Sequence, residues 1–188
     1  MAYRGGVNYA DTFGTTAIWD SIIYRELAKD NIIVPPSGNK PKTPYPGGYV
    51  KEPFVGGHEW VVSFDLNSLY PNLIVQYNMS PETLVSNRSF PHGVDYYLNQ
   101  EFNTDGNVAV SANGSCYTKE KQGILPKIIE DYYNERRVIK KEMLQAQQQY
   151  EKTKTIELER TINQLENRQM AIKILLNSLY GALGNQYF

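Results

Sequence analysis

Residues 63–77 read SFDLNSLYPNLIVQY, so two apolar runs are joined through one carboxylate and a polar turn that contains a proline. Residues 60–64 are mainly β-branched or aromatic, which favours a buried strand that leads into Asp65. Asn67 or Ser68 can cap a following helix, and a proline is tolerated in a first helical turn because it needs no N–H partner there. The stretch therefore predicts a strand, an acidic residue, a tight turn and a helix.

This arrangement sets one carboxylate beside several free backbone N–H groups. A carboxylate binds a hard cation, and the N–H groups at a helix start bind phosphate oxygens. A metal–phosphate site is the functional interpretation. On this stretch alone, the alternative is that Asp65 is a strand-end residue solvated at a turn.

The composition indicates a soluble globular protein, since 41% of the 188 residues are hydrophobic and 21% are charged. This length is enough for one domain with a sizeable core, or for parts of two. No apolar run reaches the roughly 20 residues of a membrane span, and the first residues lack the apolar core of a signal peptide. Cys116 is the single cysteine, which excludes an internal disulfide and fits a reducing compartment.

The charge is unevenly distributed along the chain, although the net charge is only −1. Residues 1–118 carry 7 Lys and Arg against 11 Asp and Glu, whereas residues 119–188 carry 12 against 9. The basic excess falls mostly on predicted helices. Solvated helix faces produce the same pattern, so charge alone does not indicate nucleic-acid binding.

Three local patterns organise the first two thirds of the chain. The apolar spacing predicts a helix over residues 15–31, with the threonine at position 15 or 16 as its cap. Residues 35–57 hold six prolines and five glycines, which predicts a surface loop. Asn113-Gly114 lies between two strand-like runs and predicts a β-hairpin near 108–119.

The last third of the chain has helical periodicity in two successive runs. Apolar residues recur on one face in each run: Ile128, Tyr132, Ile139, Met143 and Tyr150, then Ile162, Leu165, Ile172, Leu176 and Leu179. We favour an antiparallel helical hairpin that turns near Lys154, and a single continuous helix is the alternative. A coiled-coil-like arm without chemistry is the non-functional interpretation.

A turn near Lys154 would bring cations of the two helices to one level. Arg136 and Lys173 each lie about 18 residues from the turn, which is about 27 Å from the tip at about 1.5 Å per residue. Lys140 shares a helical face with Arg136, and Asn177 shares one with Lys173. Because cations at one place repel, we expect an anionic group between them, and phosphate suits an arginine fork and a lysine point charge. Taken singly, each could be a solvated surface residue.

Two motifs carry a family resemblance. Residues 65–71, DLNSLYP, resemble motif A of family B DNA polymerases, and residues 173–181, KILLNSLYG, resemble their motif B, Lys-x-x-x-Asn-Ser-x-Tyr-Gly. The flanking segments 45–53, 78–83, 122–126 and 181–185 are similar to the replicative polymerases of tailed phages. The resemblance extends from about Trp19 onward.

The resemblance implies an α+β fold that comprises part of a polymerase palm, with antiparallel strands plus a helix, and a two-helix fingers hairpin. Residues 1–125 would be partial palm with the Pro/Gly-rich loop and the β-hairpin. Residues 126–183 would be the fingers, which end in motif B, and residues 184–188 a truncated return to the palm.

The motif A match implies the catalytic residues. Asp65 would be the catalytic aspartate that binds two Mg²⁺ ions, with the backbone carbonyl of Leu66 as a further ligand. The backbone N–H groups of Ser68, Leu69 and Tyr70 would bind the triphosphate. Tyr70 would also be the ribose gate, whose ring leaves no room for a 2′-hydroxyl.

The fingers matches imply the remaining contacts. Four side chains would bind the triphosphate: Arg136, Lys140, Lys173 and Asn177. Tyr180 and Gly181 would contact the nascent base pair and the DNA.

The implied activity is template-directed nucleotidyl transfer from a dNTP to a primer 3′-hydroxyl by two-metal catalysis. Primer–template DNA and dNTP would be the partners, with a sliding clamp reached through regions that are not present, and no membrane. The site of action would be intracellular, in the host cytoplasm if the protein is phage-encoded.

The sequence lacks the second metal-binding carboxylate, which the family supplies from motif C, Tyr-Gly-Asp-Thr-Asp. It also lacks a spaced-acid exonuclease pattern before Asp65 and a thumb. We therefore expect an internal fragment of a longer polymerase that is inactive alone. The alternatives are a non-catalytic nucleotide- or nucleic-acid-binding helical hairpin and a purely structural arm, whereas motif B argues against a reverse transcriptase.

Overall fold

The computed structural model describes residues 1–34, 50–85, 96, 99, 106–185 and 188. The helices in these ranges are α1 (Ala2–Gly5), α2 (Thr15–Lys29), α3 (Leu69–Gln76), α4 (Ile124–Thr153) and α5 (Ile156–Leu183). Short 3₁₀ helices span Tyr9–Phe13 and Pro81–Thr83, and the strands are β1 (Val108–Val110) and β2 (Cys116–Thr118).

The two long helices α4 and α5 form an antiparallel hairpin, which confirms the predicted hairpin and excludes a continuous helix. Lys154 ends α4 in the left-handed conformation, with φ of 42°, and its N–H donates to the carbonyl of Tyr150 at 2.9 Å. Thr155 then begins α5 in an extended conformation, and its hydroxyl accepts the N–H of Leu158 at 3.4 Å. The chain thus reverses within two residues, because a hydroxyl cap directly follows a left-handed residue.

The hydrophobic core lies at the base of the hairpin, where α2 and α3 pack against α4 and α5. The buried apolar side chains of this core come from all four helices: Ile18, Trp19, Ile22, Ile74, Leu125, Ile128, Ile129, Ile139, Ile172, Leu175, Leu176, Leu179 and Ala182. From residue 147 to residue 168, by contrast, no side chain is buried. The hairpin is therefore fixed at its base and held only by helix–helix contacts towards its tip.

Trp19 is the largest fully buried side chain, with 0% of its surface exposed. Its indole N–H donates to the hydroxyl of Ser178 at 3.0 Å, and that hydroxyl donates to the carbonyl of Leu175 at 2.7 Å. A serine of the motif B pattern therefore ties α5 to α2.

Asn78 fixes the end of α3 relative to the start of α4. Its side-chain nitrogen donates to the carbonyls of Thr118 and Lys121 at 2.6 and 2.8 Å, and its side-chain oxygen accepts the N–H of Gly123 at 2.8 Å. A Cβ at Gly123 would lie 2.6 Å from the Cβ of Ser80, so only glycine allows this close approach.

The predicted β-hairpin is present. β1 and β2 pair antiparallel with Ala109 opposite Tyr117, and Gly114 adopts a positive φ of 83° in the connecting turn. The mixture of long helices with this small sheet confirms the α+β class.

The predicted buried strand before Asp65 is wrong. Residues 60–66 have no regular secondary structure, and Trp60 and Phe64 are 96% and 91% exposed. An extended segment becomes a strand only when a neighbour pairs with its N–H and C=O groups, and the described part of the chain supplies none for this segment.

Two smaller expectations also differ from the structure. Gly14, rather than a threonine, is the N-cap of α2, which ends at Lys29, and α4 begins two residues before Pro126. Residues 35–49 of the predicted loop lie outside the described residues, and residues 50–57 have no regular structure.

None of the helices that the structure describes is both long and apolar enough to cross a membrane.

Candidate functional site

A polar cavity of about 190 Å³ lies between the turn that precedes α3 and one face of α4. The described residues that line it are Asn67, Ser68, Tyr133, Arg136, Arg137 and Lys140. One wall is thus an uncharged polar turn and the other carries three cations within five residues. Such a lining suits a small, multiply charged anion.

The turn wall is the start of α3. Ser68 is the N-cap in the left-handed conformation, with φ of 50°, and its side chain makes no cap hydrogen bond. The carbonyl of Asn67 accepts the side-chain N–H of Asn72 at 2.8 Å, which closes the turn. The N–H groups of Leu69 and Tyr70 fall in the first helical turn, where no intrahelical acceptor exists. The turn therefore offers backbone donors beside the cavity.

Arg136 is tied to the second helix by a hydrogen bond. Its Nε donates to Oε1 of Gln169 at 3.2 Å, and Gln169 is only 7% exposed. Gln169 lies on α5 one helical turn before Lys173, so Arg136 meets α5 within one turn of that lysine. The sequence did not single out Gln169, Arg137 or Tyr133 as site residues. Helical spacing predicts which residues share a face of α4 or of α5, but it does not predict which side chains meet across the two helices.

A separate ion cluster surrounds the residue before Arg136. Both carboxylate oxygens of Glu135 accept from the Arg4 guanidinium, with Nη1 to Oε2 at 2.6 Å, and Nη2 of Arg168 lies 4.0 Å from Oε1. The hydrogen bond from Arg4 lowers the pKa of Glu135 and outweighs the opposing effect of burial. The same hydrogen bond raises the pKa of Arg4.

Replacing Glu135 with glutamine should lower the Tm of the chain by about 2–4 °C at neutral pH, because a partly exposed ion pair contributes up to about 1 kcal/mol. Since the folded-state pKa of Glu135 lies below its ordinary value of 4.5, its contribution is present above that pH and disappears as the pH falls through the folded pKa. Thermal melts of both proteins from pH 7 to pH 3 measure this convergence. Glu142→Gln, at an exposed position of α4, is the matched control, and a Tm difference that does not shrink as the pH falls from 7 to 3 would contradict the assignment.

The other residues of the predicted triphosphate set do not join the cavity. Lys173 and Asn177 are exposed on α5, one and two turns beyond Gln169, and neither lines the cavity. The structure thus brings Ser68, Arg136 and Lys140 together and leaves these two side chains apart from them.

The rings of Tyr70 and Tyr180 stack face to face, with centroids 4.2 Å apart and an interplanar angle of 9°. This contact links the first turn of α3 to the motif B end of α5. A Cβ added to the neighbouring Gly181 would meet no atom of the described residues within 4 Å, so among these residues nothing covers the backbone beside the stacked pair.

Asp65 and Leu66 lie in the exposed segment before the turn. The Asp65 carboxylate and the Leu66 carbonyl provide oxygen ligands of the kind that Mg²⁺ prefers, so these two residues could form part of a metal site. Within the described ranges, however, no group of three or more His, Cys, Asp or Glu side chains could bind a metal ion. The side chains of the described residues therefore do not form a complete metal site by themselves.

Comparisons with known proteins agree on one family. The family model for DNA polymerase family B matches residues 13–187. The DNA-directed DNA polymerases of Escherichia phage RB69 and Enterobacteria phage T4 are 31% and 30% identical over 100% of this chain. The family B DNA polymerase of the archaeon Pyrobaculum calidifontis superposes with a TM-score of 0.60 over 91% of this chain, at 26% identity.

The chain spans only part of these proteins. It covers 25% and 26% of the two phage polymerases and 20% of the archaeal structure. The matched region nevertheless includes both motifs, the cavity and the helical hairpin, since it runs through almost the whole chain. The chain belongs to DNA polymerase family B.

Proposed function

We propose that this chain forms part of the palm and the fingers of a DNA-directed DNA polymerase, which transfers a nucleotide from a dNTP to a primer 3′-hydroxyl on a template. Residues 1–125 and 184–188 would belong to the palm and residues 126–183 to the fingers. The observation that supports this best is the shared polar cavity, where the motif A turn faces Arg136 and Lys140 of α4.

The cavity suits the triphosphate of the incoming nucleotide. The backbone N–H groups of Ser68, Leu69 and Tyr70 would donate to phosphate oxygens from the turn, as helix starts do for anions. Arg136 would supply a two-pronged contact and Lys140 a point charge from the other wall. Three cations gathered at one cavity repel each other, and a polyanion relieves that repulsion.

Lys173 and Asn177 would reach the triphosphate only when the fingers rotate towards the palm. They lie on an exposed face of α5 near the base of the hairpin, and the hairpin has no buried side chain from residue 147 to residue 168. Such a movement would complete the site around a correctly paired nucleotide and exclude water.

Asp65 and the carbonyl of Leu66 would hold Mg²⁺ together with a second carboxylate from outside the described residues. The ions would activate the attacking 3′-oxygen and stabilise the leaving pyrophosphate. Asp65 itself would supply the negative charge that keeps the ions beside the triphosphate.

The stacked aromatic pair supports roles in sugar and base selection. Tyr70 lies in the turn that would bind the triphosphate, so its ring would stand beside the sugar and exclude a 2′-hydroxyl. Tyr180 stacks on that ring, and with Gly181 would contact the nascent base pair and the DNA.

The second candidate is nucleotide binding without catalysis by the chain on its own. It is favoured because the ranges that the structure describes contain no group of three or more His, Cys, Asp or Glu side chains that could bind a metal ion. Under this alternative the isolated chain binds dNTP but extends no primer. For the polymerase as a whole, we propose primer–template DNA as substrate and a sliding clamp as a partner reached through other regions. Its place of action would be intracellular, in the host cytoplasm if the protein is phage-encoded.

Titration of the chain with dATP tests the proposed site. Arg136→Ala should weaken dATP binding about 30-fold, since a charge-assisted phosphate contact contributes about 1.5–3 kcal/mol. Arg160 is an exposed arginine near the hairpin tip, and Arg160→Ala changes the net charge by the same amount. This control variant should bind dATP as tightly as the unaltered chain. Equal weakening by both substitutions would show a general charge effect and remove the cavity from the proposal.

A further inference from the structure

We propose that Gln169 is a positioning residue that holds the Arg136 guanidinium ready for the triphosphate. This inference rests on the proposed function, because it deepens the role of the same cavity. Gln169 lies outside the cavity lining and acts through Arg136 rather than on the ligand.

The hydrogen bond engages the nitrogen that phosphate needs least. Gln169 accepts from Nε, the inner nitrogen of the guanidinium, at 3.2 Å. In the part of the chain that the structure describes, the two terminal nitrogens of Arg136 have no protein partner. Those terminal N–H groups remain available for phosphate oxygens, while the bond at Nε restricts how the fork can turn.

Burial makes Gln169 a firm support. It is the buried residue of α5 nearest the hairpin tip, at 7% exposure, and Ile172 follows in the core with 0% exposure. A buried amide must find partners for its polar atoms, so the bond to Arg136 is also the state that Gln169 itself favours. An arginine restrained before the ligand arrives loses less conformational entropy on binding.

The neutral charge of Gln169 matters as much as its position. A carboxylate at this position would pair with Arg136 and cancel the charge meant for the triphosphate. The neighbouring carboxylate, Glu135, is already engaged by Arg4 and lies within 4.0 Å of Arg168. Arg136 is thus restrained by a neutral amide, and the adjacent Glu135 interacts with other arginines. The positive charge of Arg136 is therefore not neutralised by a carboxylate of the described residues and can act on the ligand.

The test is a double-mutant cycle measured as dATP affinity of the chain in Mg²⁺ buffer. Gln169→Leu and Gln169→Glu should each weaken dATP binding about tenfold, the first by releasing the guanidinium and the second by neutralising it. In the Arg136→Ala background, Gln169→Leu should cause no further loss, because its effect passes through Arg136. Gln164→Leu, at an exposed position of the same helix, is the matched control and should leave the affinity unchanged.

Each other outcome overturns the inference in a distinct way. An equal loss from Gln169→Leu with and without Arg136 would mean that Gln169 contacts the ligand itself. Unchanged affinity in Gln169→Leu would mean that Arg136 needs no support. If the unaltered chain binds no dATP, the proposed function fails and this inference fails with it, whereas binding by the unaltered chain and by Gln169→Leu alike removes the inference only. Thermal melts of every variant separate loss of binding from loss of fold.

Discussion

Asp65→Asn should reduce primer extension at least about 1,000-fold in a chimera whose matching segment of the phage RB69 polymerase is replaced by this chain. The chimera supplies the parts of the RB69 polymerase that the chain does not span, and we propose that the second carboxylate lies in them. Asparagine keeps the size and one oxygen of Asp65 but removes its charge. Because catalysis in phosphoryl transfer depends on charge neutralisation and positioning, this single charge should carry several kcal/mol of the barrier.

The measurement is the single-turnover rate of one-nucleotide extension on a primer–template at saturating Mg²⁺ and dNTP. Glu157→Gln, which removes a carboxylate from the first turn of α5 far from the turn before α3, is the control and should extend at the rate of the unaltered chimera. A folded Asp65→Asn chimera that extends primers within tenfold of the control would remove Asp65 from the catalytic role. An unaltered chimera that folds but extends nothing would contradict the proposed function.

The helical part of the fold follows from its sequence because periodicity and burial agree there. Ile128, Ile139 and Met143 repeat on one face of α4 and are all buried. The turn near Lys154 was also predicted, and the structure adds its cause, since the hydroxyl of Thr155 caps the next helix. Local chemistry decides these features, so local reasoning finds them.

The strand before Asp65 could not be predicted in the same way. Residues 60–64 have strand-forming side chains, but a strand is defined by a partner that lies elsewhere in space. Without such a partner among the described residues, the same side chains are exposed. β-propensity predicts that a segment forms a strand when another strand pairs with it, but it does not predict whether such a strand is present.

In the candidate site, too, the sequence predicted the residues that local patterns identify and missed those that only the packing brings together. The turn and the cations of α4 were recognisable, because motif A and helical spacing name them directly. Gln169, Arg137 and Tyr133 were not, since only the packing of α4 against α5 and the turn shows which side chains share the cavity or the hydrogen bond. For Lys173 the sequence predicted a position level with Arg136 along the hairpin, but Lys173 does not line the cavity.

Trp19→Ala should lower the free energy of unfolding of the chain by about 3–5 kcal/mol, which is the cost expected for emptying a fully buried indole site. The residue is 0% exposed, and it packs where α2 meets the base of the hairpin. Urea unfolding followed by circular dichroism measures the change. Trp60→Ala removes the same side chain from a site that is 96% exposed, and we expect it to alter stability by less than about 0.5 kcal/mol.

Trp19→Phe separates the volume of the indole from its hydrogen bond. Phenylalanine retains most of the apolar contact but has no N–H to donate to Ser178, so a loss of about 1–3 kcal/mol is expected. In a Ser178→Ala background the hydroxyl is already gone, and the additional loss from Trp19→Phe should shrink to the packing share alone. An additional loss as large as that in the unaltered chain would show that the indole contributes only through packing. Shrinkage of the loss would show instead that a serine inside the motif B pattern also anchors the base of the helical hairpin, two residues before the tyrosine that stacks on Tyr70.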